Sequence, residues 1–414
     1  MKIWIYNHYA VGPNSSGITR HFDLGKELVK LGHEVTIFAA SFNHQKRVEE
    51  KQYSTGEQFQ VQSYEGVEFV WIKTPSYHKN DHKRVLNILA YSKRVNKIAL
   101  SFKEKPDVVI GSLMHPLAAL SAYRLAQKTE ALFYFEERDL WPQSLIDLGK
   151  VSPNNPIVKV LSKLELFLYR KADKILVLFD KAPQYVKSRG VNENKVLYLP
   201  NGVDMNRYSE KGMGKLPLDL QTKLDELAEN KFIVMYTGAH SLANNLDALL
   251  NIAKQVQTNT DKIQFVLVGD GPDKQKLIKR ANNENVGNIH FMDAVQKELI
   301  PDILKYADVG IISMKNAEVY KWGISLNKMY DYMAAKLPIV MLSDLKDTII
   351  SKQDIGYVSE NENDIVSKLL WLYKNPEKAV QIGEKANVVV DQTHSWSTLA
   401  IKLNKELEKD QDNN

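Results

Sequence analysis

Short β-branched or aromatic runs alternate with amphipathic helical patterns along the chain, and the alternation starts twice. This arrangement predicts α/β layering, with parallel sheets covered by helices on both faces. In the first half the predicted strands are 2–6, 34–39, 67–72, 107–110, 131–135, 174–178 and 195–199. The order restarts after Pro200-Asn201-Gly202 and a polar stretch holding Gly212, Gly214 and Pro217, with strands at 232–236, 264–268, 288–291, 308–312 and 338–342. Two doubly wound domains of similar size bind ligands where the carboxyl ends of their strands face a cleft. The boundaries drawn from the sequence are 1–205, 206–395 and a last helix at 396–414 that packs back on the first domain.

The 414 residues contain no cysteine, which excludes disulfide scaffolds, zinc ribbons and thiol catalysis and suits a reducing compartment. The opening MKIWIYNHYA reads as a strand and lacks the apolar core of a signal peptide, so a cytoplasmic protein is expected. The apolar stretch 108–126 is broken by His115, Pro116 and Arg124 and falls short of a membrane span. Charge is uneven. Residues 1–200 carry 29 Lys and Arg against 20 Asp and Glu, whereas the remainder carries 26 against 30. Eight cations lie between His78 and Lys105, among them Arg84, Lys93, Arg94 and Lys97, opposed only by Asp81 and Glu104. Val85, Leu86, Ile88, Leu89, Val95, Ile98, Ala99 and Phe102 fall at helical spacing among them. That pattern fits a helix on an anionic bilayer surface and equally an ordinary amphipathic helix with a solvated basic face. No nucleic-acid motif is present, and none is expected as a partner.

Several turns carry candidate chemistry. Val11-Gly12-Pro13-Asn14-Ser15-Ser16-Gly17 precedes a predicted helix at 18–31, and a small-residue loop opening a helix can meet an anion, which makes Gly17 and Arg20 candidate ligands. Glu136-Glu137-Arg138-Asp139-Leu140-Trp141-Pro142 ends the fifth strand; there Arg138 can clamp a phosphate, and Asp139 can accept a proton or orient a hydroxyl. In the second half Tyr236-Thr237-Gly238-Ala239-His240 ends a strand and Asn244 precedes a helix, and Gly269-Asp270-Gly271-Pro272 ends the next strand; each is a cleft-facing turn and also an ordinary good turn. The densest constellation is Lys321-Trp322-Gly323-Ile324-Ser325-Leu326-Asn327-Lys328-Met329-Tyr330-Asp331. Ser325 is the expected N-cap, which puts Asn327 and Lys328 in the first turn and Asp331 one turn on. A lysine there opposes the helix dipole unless an anion joins it.

At these residues the chain resembles the retaining glycosyltransferases of family 4, with their two Rossmann-like domains in the GT-B fold. The resemblance rests on Gly32-His33-Glu34-Val35-Thr36, Pro200-Asn201-Gly202-Val203-Asp204, Leu267-Val268-Gly269-Asp270-Gly271-Pro272, Tyr306-Ala307-Asp308-Val309 and Asp331-Tyr332-Met333-Ala334-Ala335, in that order. Arg138-Asp139-Leu140-Trp141-Pro142 and Ser325-Leu326-Asn327-Lys328 further resemble the surface-polysaccharide branch that includes the L-fucosamine transferases. The resemblance implies that Asp331 holds the donor ribose and that Ala294 and Val295 pin the nucleobase through their backbone. It also implies that Arg138-Asp139 replace a His-Asp pair at the reacting sugar. Gly323 stands where the family has a glutamate, with Glu318 or Lys321 as substitutes. The usual diphosphate-binding Arg and Lys fall on Ala239 and Asn244.

The implied activity is transfer of a sugar, by expectation an N-acetylated amino sugar, from a UDP-linked donor to a lipid-linked glycan, with retention and no obligatory metal or other cofactor. The setting is capsule, O-antigen or related synthesis at the inner membrane face, where an anionic surface is the second partner. A non-hydrolysing UDP-sugar epimerase and a non-catalytic partner in a membrane complex share the fold and remain alternatives.

Overall fold

The computed structural model describes residues 1–13, 19–79, 81–209 and 216–412. They form two compact units: Met1–Asn201 with Trp322–Ile324 and Leu399–Asn414, and Gly202–Lys321 with Ser325–Thr398. The opening stretch of the first unit thus runs to 201, against the 205 drawn from the sequence.

The strands of the first unit are β1 (Lys2–Tyr6), β2 (Glu34–Ala40), β3 (Phe42–Asn43), β4 (Val48–Glu49), β5 (Phe59–Tyr64), β6 (Val67–Ile72), β7 (Val108–Ser112), β8 (Leu132–Glu137), β9 (Lys174–Val177) and β10 (Val196–Tyr198). Eight of them make one sheet in the order β10-β9-β8-β7-β1-β2-β6-β5, and β3 pairs with β4 in a small hairpin. Only β5 runs antiparallel in the large sheet. Its sequence, FQVQSY, alternates polar residues along an exposed edge, which is why apolar content does not reveal it. The order of β1 and its neighbours reverses between β1 and β7, and that is the topological switch point, where doubly wound sheets place ligands at the strand carboxyl ends.

The second unit repeats the design with β11 (Phe232–Thr237), β12 (Ile263–Val268), β13 (Ile289–Met292), β14 (Val309–Ser313), β15 (Ile339–Leu342) and β16 (Gly356–Ser359). The order β13-β12-β11-β14-β15-β16 puts its switch point between β11 and β14. The short edge strand β16 was not among the predicted strands. Buried Val234, Tyr236, Phe265, Leu267, Ile311 and Val340 form the core against helix Leu246–Gln257 and helix Glu362–Lys374.

The helix Asn327–Ala334 is locked to this sheet by one side chain. Tyr332 packs over Gly310, where an added Cβ would lie 2.4 Å from its ring, and its Oη accepts the Thr237 N–H at 2.8 Å. From the other side the helix Pro376–His394 comes so close that a Cβ on Gly383 would lie 1.9 Å from the Lys336 carbonyl oxygen. Backbone cannot yield there as a side chain could. Gly383→Ala should cost about 1–3 kcal/mol, read as a lower urea midpoint.

Candidate functional site

In the first unit the candidate site grows from a buried carboxylate. Glu136, near the end of β8, accepts from Arg20 Nε at 2.8 Å, His21 Nε2 at 2.7 Å and Ser112 Oγ at 2.6 Å. Asn7 uses its amide oxygen for the Tyr9 N–H, so its Nδ2 donates to His21 Nδ1 at 2.8 Å. His21 is therefore the neutral Nε2–H tautomer, in agreement with burial holding its pKa down. Burial opposes the charge on Glu136, but His21, Arg20 and Arg138 together outweigh it and hold the carboxyl well below its usual range. Arg20 also donates to the Leu199 and Pro200 carbonyls.

This corrects the expectation for Arg20. Its side chain is completely buried and tied to protein groups, so it organises the site instead of touching a donor. Its helix runs Arg20–Lys30, and Gly17 lies outside the described residues.

Arg138, by contrast, is only 7% exposed yet hydrogen-bonds no partner among the described residues. Burial pulls its pKa down and Glu136 pulls it back up. Asp139 stands exposed beside it; desolvation of its carboxyl raises the pKa, against Arg138. A guanidinium withdrawn from water without a hydrogen-bond partner is poised for an anion.

Behind the loop, Glu137 accepts from the Trp141 N–H at 3.1 Å and from Tyr169 Oη at 3.3 Å. Burial, reinforced by the neighbouring charge of Glu165, raises its pKa well above the usual value. Glu165 itself is pushed up to about 6 by burial.

In the second unit the switch-point turn and the helix start converge. Lys328 Nζ, in the first turn of Asn327–Ala334, donates to Tyr236 Oη at 2.8 Å and lies 3.3 Å from Asn244 Oδ1. It sits 4.0 Å above the Tyr236 ring. Among the described residues no carboxylate pairs with it, and desolvation lowers its pKa to about 7. Gly238 makes the approach possible: its φ is 141°, and a Cβ there would lie 2.8 Å from Nζ. Asp331 Oδ1 accepts from Tyr208 Oη at 2.7 Å. Gly238, Asn244, Lys328 and Asp331 thus share one end of this sheet.

Other expected residues are placed differently. Leu326, not Ser325, is the N-cap, and Ser325 Oγ instead lies 3.3 Å from Tyr330 Oη. Asn327 is exposed, as is Ala294, while Val295 is partly buried. Lys321 pairs with Glu318 at 3.3 Å on the surface. Gly323 has a φ of 104°, and a Cβ there would lie 2.1 Å from Asp180 Oδ1, so a glutamate would have to displace the Asp180 carboxylate and take a strained backbone.

On helix His82–Ala99 the sequence reading divides. Tyr91, Val95, Ile98 and Ala99 are core, whereas Val85, Leu86 and Leu89 are exposed together with Lys93 and Lys97. Arg84 and Arg94 do not join that face. Arg94 donates to the Lys73 carbonyl, and Arg84 lies over the Tyr9 ring.

Comparison with known proteins decides the class. The family model described as Glycosyltransferase Family 4 matches residues 15–207, and that described as Glycosyl transferases group 1 matches residues 221–389. The chain is a GT-B glycosyltransferase. Among its curated relatives is the Escherichia coli (strain K12) "Putative colanic acid biosynthesis glycosyl transferase WcaI", 22% identical over 326 residues, covering 76% of this chain and 77% of that one. Among solved structures, sucrose-phosphate synthase from Thermosynechococcus elongatus superposes with a TM-score of 0.73 at 13% identity over the whole of both chains. HepE of Anabaena in complex with UDP and glucose does so with a TM-score of 0.66 at 12% identity, over 99% of this chain and 100% of that one. These likenesses establish the fold of the transferase.

The acid pair behind the Arg138 loop gives a pH signature. A carboxyl whose folded pKa is raised contributes stability below the unfolded value of about 4.3 and loses it as pH rises toward the folded value. Glu137→Gln keeps the acceptor and removes the ionisation. Its stability should match wild type near pH 4 and exceed it by about 1 kcal/mol or more at pH 8, as measured by urea unfolding at both pH values.

Proposed function

We propose that this transferase moves a sugar from a UDP-linked donor to a lipid-linked glycan during synthesis of a bacterial surface polysaccharide, with retention at the anomeric carbon. The observation that carries the donor half is Lys328, a desolvated ammonium with no carboxylate partner among the described residues, beside a glycine turn and a helix start. An anion restores what burial removed, and the N-terminal end of the helix adds its partial positive charge. Asp331 takes the ribose hydroxyls, and the backbone at Ala294 and Val295 takes the base. HepE, complexed with UDP and glucose, supports uridine as the base, and the colanic acid relative supports polysaccharide synthesis. The donor sugar we propose is an N-acetylated amino sugar.

In the step itself the bond from the anomeric carbon to the leaving diphosphate oxygen breaks, and a bond to the acceptor hydroxyl forms on the same face. The acceptor proton passes to the leaving diphosphate. Charge develops on that phosphate, so fixed positive groups lower the barrier. Lys328 is the proposed cation for that charge; in the first unit Arg138 is proposed to hold an anion, with Asp139 orienting a hydroxyl. No metal is required for this charge balance.

For the acceptor half, the support is a basic, partly apolar helical surface on the first unit. Among the described residues no helix is long and apolar enough to cross a membrane. Lys93 and Lys97 flank exposed Val85, Leu86 and Leu89, and helix Pro156–Lys171 adds exposed Ile157 and Val160, 68% and 65% accessible. Such faces bind anionic bilayers by charge and shallow insertion.

Calorimetric titration with UDP tests the donor site. Lys328→Gln should raise the dissociation constant about tenfold or more, with the circular dichroism spectrum unchanged. The sign of the pH effect follows from the free lysine: above pH 7 it must take up a proton to meet the diphosphate. Wild-type affinity should fall by up to about tenfold per pH unit above 7, whereas Lys328→Arg should abolish the trend. An unaltered UDP affinity in Lys328→Gln moves the donor elsewhere. For the membrane half, Lys93→Glu with Lys97→Glu should release the protein from vesicles containing phosphatidylglycerol in a flotation assay. Continued flotation with them would remove this face from the proposal.

A further inference from the structure

Asp331, partly exposed on helix Asn327–Ala334, is met by a residue 123 positions earlier in the chain. Tyr208 Oη donates to Asp331 Oδ1 at 2.7 Å, and Tyr208 is partly exposed as well. A hydroxyl donating to a carboxylate makes a charge-assisted bond, about twice as strong as one between neutral groups. Desolvation of the phenol, with the Asp331 charge beside it, raises the Tyr208 pKa well above its usual value, so the hydroxyl keeps its proton and stays the donor.

The segment that carries Tyr208 is pinned along its length. Upstream, Val203 bridges to Ser395, its N–H on the His394 carbonyl at 2.9 Å and its carbonyl taking the Trp396 N–H at 3.0 Å. The 3-10 turn Met205–Tyr208 then opens on Asp204, whose side chain accepts the Asn206 N–H at 3.0 Å. It closes on Ser209 Oγ, which donates to the Asn206 carbonyl at 2.7 Å. Arg207 donates through its guanidinium to the Lys297 carbonyl, two residues beyond Val295. Neighbouring side chains of one turn thus reach the stretch assigned to the base and the carboxylate assigned to the ribose. Packing around Tyr208 is incomplete, because it borders a cavity of about 310 Å³ lined also by Met205, Pro301, Lys305 and Lys336. The hydroxyl bond, more than close packing, gives the phenol one orientation against Asp331.

A carboxylate is planar and only accepts, so holding one of its oxygens sets the direction in which the other points. The two hydroxyls of a ribose are donors at fixed spacing. A carboxylate already turned toward them loses less freedom on binding than one that must be turned.

We propose that the turn Met205–Tyr208 is the positioning element of the nucleoside site, with Tyr208 orienting the Asp331 carboxylate for the ribose hydroxyls and Arg207 holding the stretch beside the base. This inference rests on the donor reading given above and adds what aims its ribose carboxylate. Tyr208 and Arg207 are positioning residues, acting through Asp331 and the Lys297 carbonyl.

The experiment is calorimetric titration of the full chain with UDP and with its 2′,3′-dideoxy analogue, because the ratio of the two affinities isolates the ribose hydroxyls. Wild type should prefer UDP by about tenfold or more. Tyr208→Phe should cut that preference to about a third or less by weakening UDP, and leave the dideoxy compound within about twofold. Asp331→Ala should bring the ratio to about one, and adding Tyr208→Phe to it should leave the ratio there, because the phenol acts through the carboxylate. Arg207→Gln should weaken both nucleotides alike, by about threefold or more, and keep the wild-type ratio. A phenol that only supports the fold would lower both affinities together. A wild-type ratio in Tyr208→Phe beside a flattened one in Asp331→Ala overturns the role of Tyr208 and leaves the ribose assignment standing. A full preference for UDP in Asp331→Ala, or no preference or no binding in wild type, removes the ribose assignment and the positioning element with it. Arg207→Gln keeps the test standing should Tyr208→Phe fail to fold: unchanged affinities or a changed ratio in that variant overturns the proposal.

Discussion

The Glu136 carboxylate is the constraint around which the first unit is assembled. It is buried at the carboxyl end of a central strand, and burying a carboxylate costs several kcal/mol unless charge and hydrogen bonds compensate it. Compensation comes from three directions: Arg20 and His21 from one helix, Ser112 from the neighbouring strand, and Arg138 from two residues on. Arg20 in turn closes the Leu199 and Pro200 carbonyls, so the chain leaving the unit is tied to the same group. Removing either Arg20 or Glu136 alone would leave its partner buried and unpaired, which is far costlier than the net worth of the pair. The network also explains why Arg138 can be left without a hydrogen-bond partner. The negative charge beside it is already shared with Arg20 and His21.

Two lysines in the second unit, Lys274 buried and Lys328 partly buried, differ in how their charge is met. Lys274 Nζ has three acceptors, the Gly269 and Met292 carbonyls at 3.0 Å and Asp293 Oδ1 at 2.6 Å, and its capacity is filled. Lys328 has a phenol and an amide oxygen, neither carrying charge, and lies at a helix start where the backbone is already electropositive. Folding alone does not favour that placement. Asn244, just before helix Leu246–Gln257, serves as one of the Lys328 acceptors.

Most of the parallel sheet was legible in the sequence, because strands buried on both faces read as apolar runs. What escaped was peripheral or distributed. β5 and β16 are edges, where one strand alternates polar residues and the other has four residues. The Ser325 cap failed because the helix begins on Asn327, which moves the cap one residue on to Leu326, and pattern fixes helix ends only to within a residue or two. Arg20 looked like a ligand because it opens a helix after a small-residue loop; only the fold shows Glu136 opposite it, 116 residues away. Gly323, a departure from the family pattern, acquires a steric reason only when Asp180 is seen against it. The bond from Tyr208 to Asp331 left no local trace, since the two residues lie 123 positions apart and no window contains both.

Helix His82–Ala99 shows why periodicity alone does not separate core from surface. Eight apolar residues and eight cations across this region read as one amphipathic pattern, but the helix serves two environments along its length. Toward its C-terminal end, Tyr91, Val95, Ile98 and Ala99 fill the core, and the apolar spacing there reports packing. Near its N-terminal end, Asn87 faces inward and donates to Thr74 and Pro75, so the apolar residues of that turn are turned outward. The cations divide as well: Arg84 and Arg94 reach back to protein groups, and Lys93 and Lys97 keep their charge in solvent. A planar guanidinium makes several directed bonds at low desolvation cost, whereas a strongly hydrated ammonium stays in water. The basic face that remains is therefore smaller than the sequence suggests and consists of lysines, which suits diffuse attraction to a charged surface better than recognition of one group.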